Sequence, residues 1–116
     1  MTEQDARTAL RRLAVDVRTH YGERLKGIYL VDARNLYDDE DAADIETVIV
    51  LADGEWRSLD ERMALVDLTY DILLDTELYI RALPVSLSVW LDPAAADDPS
   101  WIGALKERAE PIMEAA

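Results

Sequence analysis

Apolar residues at Ala6, Leu10, Leu13, Val17 and Tyr21 recur at steps of three or four, while Arg7, Arg11, Arg12, Asp16 and Arg18 fall between them. That period predicts an amphipathic first helix with one face toward a core. Gly22 stands where a C-terminal cap would end it. The pattern then shifts to "LKGIYLV" at 25–31 and "IETVIVL" at 45–51, two runs rich in β-branched residues that predict strands. "ADGEW" turns the chain, and Ser58 with Glu61 has the spacing of a capping box that opens a second helix. The stripe read as buried in that helix is Leu59, Met63, Val66, Tyr70 and Leu73, and "SLDERMALVDLTYDILLD" is apolar enough to serve both a sheet and a partner helix. A third strand is predicted at 78–85; its Pro84 has no N–H for a ladder, which places it at an edge or at the strand's exit. After the loop-like "LDPAAADDPS" at 91–100, Asp98 and Pro99 read as the cap and first-turn proline of a last helix through Ala109.

The predicted order is helix, strand, strand, helix, strand, helix, which makes the expected class α+β: two layers, with a short mixed sheet of three or four strands and helices mainly on one face. With 116 residues, half of them hydrophobic, and neither a repeat nor a long linker, the chain suits one domain over 1–116. No apolar run nears the roughly 20 residues of a membrane span, and "MTEQDARTALRR" lacks the order of a signal peptide, so a cytoplasmic location is expected.

Charge and residue inventory narrow the chemistry. Cysteine is absent and His20 is the only histidine, so thiolate cages and the usual zinc sites fail and a metal would have to be held by oxygen. The net charge of -13, from 25 acidic and 12 basic residues, repels phosphate backbones and anionic membranes, and direct nucleic-acid binding is not expected. Such acidity suits a salty medium or a basic partner.

Two carboxylates, Asp44 and Glu46, stand one residue apart at the start of the second predicted strand. Alternation puts them on one side, about 7 Å apart along the chain, within reach of a shared divalent cation. The other reading is a charged strand end, with Ile45, Thr47 and Ile49 turned to the core. Leading into them, residues 37–44 hold five carboxylates, Asp44 included, without the spacing or glycine of an EF-hand, which reads as a solvated loop. His20 falls near a helix C-terminus and is assigned no catalytic task. Tyr21 and Tyr70 read as core, and Trp56, Trp90 and Trp101 as covers for the core's rim or as interface anchors.

Around the Asp44–Glu46 pair, "IYLVDARNLYDDEDAADIETVIVL" resembles the small nucleotidyltransferases of the DNA polymerase beta superfamily, of the minimal nucleotidyltransferase (MNT) type. That family has a strand ending in Gly-Ser, then Arg and Gly, and a second strand that carries Asp-x-Asp before aliphatics. The strand, the loop length, Arg34, Asp44, Ile45 and the aliphatic run are kept here, and "LTYDILLDTELYIRALPVSLSVW" is similar to the family's second helix, third strand and Pro-Val-Ser exit. The departures are Asp32 and Ala33 for Gly-Ser, Tyr37 for the later Gly, and Glu46 for the second Asp. Asp32 sets a negative charge where a phosphate cradle needs backbone N–H groups, and Ala33 lacks the serine hydroxyl. The third strand offers no Asp for a third carboxylate, and its Arg81 could bring a cation to where the family wants an anion.

The resemblance therefore implies a degenerate, catalytically impaired member: a pseudoenzyme acting as a binding module, such as the antitoxin-type partner of a HEPN-domain toxin. The alternative it implies is an active enzyme that moves a nucleoside monophosphate from an NTP to a protein or small-molecule acceptor, with Asp44 and Glu46 on Mg²⁺ and Asp32, Ala33 and Arg34 as the degenerate nucleotide-binding loop. A fold this small with exposed aromatics is also a candidate homodimer.

Overall fold

In a computed structural model of the chain, residues 3–33, 44–54, 57–95 and 99–114 are described. Helix α1 (Glu3–Tyr21) is followed by a 3-10 turn (Gly22–Arg24) and strands β1 (Leu25–Ala33) and β2 (Ile45–Leu51). Then come α2 (Ser58–Thr76), β3 (Ile80–Ser86), a short α3 (Leu87–Leu91), a 3-10 turn (Pro93–Ala95), α4 (Pro99–Arg108) and β4 (Glu110–Glu114). The fold is α+β, with one mixed sheet in the order β3-β2-β1-β4. β1 runs antiparallel to β2 and β4, whereas β2 and β3 are parallel and joined through α2. β3 is thus an edge strand, which suits Pro84.

Alternation along the strands feeds two cores. Ile28, Ile45, Ile49, Leu51 and Ile80 pack with α1 and α2 on one face, and Val31, Val48, Val50 and Val85 pack with Trp90 and Ile102 of α3 and α4 on the other. Both faces are covered, the two 19-residue helices lying on one and the shorter pair on the other. The expected two layers are therefore three, and the expected weighting of helices to one face holds for the long helices only. No helix among the described residues is long and apolar enough to cross a membrane.

α1 follows its pattern: Ala6, Leu13, Val17 and Tyr21 are buried, together with Ala9 and Ala14. α2 does not. Leu59, Met63, Val66 and Tyr70, expected in the core, are all more than half exposed and Leu73 is half-buried, while Leu65, Thr69 and Ile72 turn inward. The helix is apolar nearly all round, so its period permits two phases, and packing against β3 and α1 selects the other one.

The capping box is also corrected. The N-cap of α2 is Arg57, with no side-chain cap hydrogen bond, and Glu61 instead reaches Arg24 at 3.2 Å, tying the start of α2 to the turn after α1. At the other end α2 closes on Glu77 in the left-handed region (φ 62), where α1 uses Gly22 (φ 58). The sequence reading missed α3 and β4, and it placed Trp90 at the rim, whereas Trp90 is buried in the second core, 4.9 Å from the Tyr29 ring. The last helix ends at Arg108, one residue before the expected Ala109.

Candidate functional site

β2 begins at Ile45, so Asp44 sits just before the ladder and Glu46 is the first strand residue to face α4. Opposite them Asp32 and Ala33 form the end of β1, in register with Glu46 and Ile45. Arg34 and the acidic stretch through residue 43 lie outside the described residues. The sheet therefore brings the backbone of Asp32 and Ala33 beside the Asp44–Glu46 pair.

Each of the two carboxylates meets β3 or the residue just before it. Asp44 Oδ2 accepts the Tyr79 N–H at 2.9 Å, and the Ile45 N–H donates to the Tyr79 carbonyl at 3.2 Å. In the parallel register Glu46 stands beside Arg81, whose guanidinium donates to Glu46 Oε1 at 3.1 Å. One residue on, the buried Thr47 hydroxyl donates to the Arg81 carbonyl at 3.0 Å. Four consecutive residues, Asp44 to Thr47, thus fasten the start of the edge strand. This arrangement has a physical cause: a parallel edge lacks the tight hairpin that would set its register, and side-chain bonds at its first residues supply one.

The electrostatics follow from the same contacts. Glu46 shares its charge with a guanidinium, and Asp44 has an amide on one oxygen. Among the described residues no group of three or more His, Cys, Asp or Glu side chains could hold a metal ion. A divalent cation at the pair would have to displace or repel Arg81. Among the described residues, this donor set suits a guanidinium better than Mg²⁺.

Beside Glu46 the sheet face and α4 enclose a cavity of 310 Å³. Val31, Val48, Leu83 and Leu105 contribute apolar walls, and Glu46, Arg81 and Arg108 contribute its charges. Its volume is at the low end for small-molecule pockets. Sequence reasoning pointed to Glu46 and Arg81, but it missed Arg108 and Leu105, because nothing local in α4 says that it lies over β2.

A second polar cluster joins α1 to α2. Tyr21 is buried, and its phenol is pushed above the ordinary value of 10.0, first by burial and then by the Glu61 carboxylate. Among the described residues neither Tyr21 Oη nor Glu61 Oε2 makes a well-formed hydrogen bond, so Glu61 acts on the phenol by proximity, and Arg24 lies over the Tyr21 ring at 5.4 Å.

Comparison of the chain with protein-family models, with curated proteins and with solved structures finds no match.

Proposed function

We propose that the chain is a degenerate nucleotidyltransferase-like protein that works as a binding module, of the kind that serves as antitoxin-type partner to a HEPN-domain toxin. The observation that carries this reading is the pairing of Glu46 with Arg81 beside Asp44 on the Tyr79 amide: the carboxylates of the D-x-E pair serve the sheet edge. Asp32 and Ala33 on the neighbouring strand support it, because they replace the glycine and hydroxyl of a phosphate cradle. Phosphoryl transfer depends on metal-borne charge stabilisation and positioning, and a guanidinium on one ligand works against both. The acidity of the chain suits a basic partner such as an RNA-binding enzyme.

The second reading, an active metal-dependent nucleotidyltransferase, draws its support from the 310 Å³ cavity beside Glu46, where Arg81 and Arg108 could meet an anionic ligand. One titration separates the two: ATP and GTP with Mg²⁺ or Mn²⁺, read by heat and by melting temperature, with Asp44→Ala as control. The binding-module reading expects no metal-dependent nucleotide binding, and a lower melting temperature for Asp44→Ala because the Tyr79 amide loses its acceptor. Nucleotide binding that requires metal and disappears in Asp44→Ala would overturn it in favour of the enzyme.

A further inference from the structure

The exposed side of α2 carries a second apolar stripe. Leu59, Met63, Val66, Tyr70 and Leu74 are between 54% and 69% exposed, and they follow one another at three or four residues along the helix. At 1.5 Å per residue the stripe is about 22 Å long, or four turns. Contiguous apolar patches of this kind are uncommon on monomers and mark contact surfaces. Toward β3 the stripe runs into a depression of 130 Å³ between Val66, Tyr70, Leu73 and Tyr79, a socket for one anchoring side chain.

Charge decides what fits there. On the border away from β3 the stripe is lined by Asp60, Asp67 and Asp71, all exposed, while Asp75 one turn on is held by Arg12. Two antiparallel copies of α2 would set one aspartate row against the other, and each chain carries -13, so a second copy is a poor occupant. A straight four-turn stripe matches the apolar face of another helix, which would present anchors at i, i+4 and i+7. We propose that this face of α2 docks a cationic amphipathic helix of a partner protein, with Lys or Arg along the border that meets Asp60, Asp67 and Asp71. The proposal rests on the binding-module reading and names the surface by which that module would act.

The probe is a synthetic four-turn helical peptide with leucines on one face and lysines on one border. It is compared with a peptide whose lysines are replaced by glutamates and with one whose leucines are replaced by serines. Binding to the full chain is read by calorimetry at low and moderate salt. The lysine peptide should bind and the other two should not. Val66→Ser with Tyr70→Ser should weaken it at least ~10-fold, as expected for anchor residues. Asp67→Lys with Asp71→Lys should transfer preference to the glutamate peptide, whereas Glu107→Gln on α4 should change nothing. Melting temperatures of all variants establish that they fold.

Equal binding of the lysine and serine peptides, or binding unmoved by the α2 changes in folded variants, would overturn the proposal. So would a stable dimer in sedimentation that Tyr70→Ser dissolves, which would give the face to a second copy. The nucleotide titration keeps the two levels apart. If α2 fails and nucleotides do not bind, the module reading stands and its surface lies elsewhere; if nucleotides bind with metal, that reading itself fails.

Discussion

α1 and α2 are both 19 residues long and lie on the same face of the sheet, yet they use their apolar residues in opposite ways. α1 hides its stripe and leaves arginines and aspartates outside, with Val15 as an exposed exception. α2 buries Leu65, Thr69 and Ile72 and keeps a second apolar stripe in solvent. An amphipathic period identifies the inward face when there is one such period; when a helix has two, tertiary packing chooses, and the unused face becomes a surface with its own meaning.

The largest test of that contrast is to remove a buried anchor from each helix. Leu13→Ala in α1 and Ile72→Ala in α2 should each cost ~2–5 kcal/mol in chemical denaturation, since both side chains are fully buried. A small loss for Ile72→Ala would mean that the phase assigned to α2 is wrong. Next comes the tie between the helices. Arg24→Ala leaves Glu61, only 12% exposed, without its partner and should cost about 1–3 kcal/mol, a loss that Glu61→Gln in the same background should partly recover.

The two C-terminal caps sharpen the comparison further. Gly22 and Glu77 occupy the same left-handed region, where a side chain is strained, so Gly22→Ala should destabilise by about 1 kcal/mol and Glu77→Gly should stabilise by up to about the same amount. If Glu77→Gly gave no gain, Glu77 would owe its place to a contact that offsets the strain.

A smaller effect appears only at alkaline pH. The Tyr21 phenol is raised in the folded state, so the contribution of this group to stability is complete below the ordinary value of 10.0 and is lost as pH rises from there through the folded value. Melting temperature should therefore fall above that pH, and Tyr21→Phe should flatten the fall. Near neutrality Tyr21→Phe should be close to silent, because among the described residues its hydroxyl makes no well-formed hydrogen bond to lose. The smallest change is expected on the outer stripe: Met63→Ser or Tyr70→Ser should alter stability by no more than about 0.5 kcal/mol.

Legibility in the sequence follows the same physics. β2 falls on 45–51 as read, because a β-branched run between turn residues admits one assignment. α1 was legible from a single period. α2 was misphased because both arcs read as apolar, and the surfaces of β3 and α1 that select the phase are distant in sequence. β4, "EPIME", escaped because proline and two glutamates hide any strand signal, and only its edge position beside β1 makes such a strand tenable. At the site, Asp44, Glu46 and Arg81 could each be picked out, but their register could not. That β3 runs parallel to β2, with Glu46 beside Arg81, is a property of the sheet, and it gives the carboxylates a bonding role that residue spacing alone does not contain.

The pairing of β4 with β1 sets a schedule. Leu30 and Glu110 stand in register although about 80 positions apart, so a ribosome making this chain from its N-terminus finishes β1 long before it makes the strand that covers it. Until β4 is made, one side of an apolar strand is an open template for stray chains. β4 acts as a closing strip, and a ribosome that stalls just short of it releases a product with most of its core and an adhesive edge. For such a chain, failure of synthesis is a hazard of aggregation before it is a loss of stability.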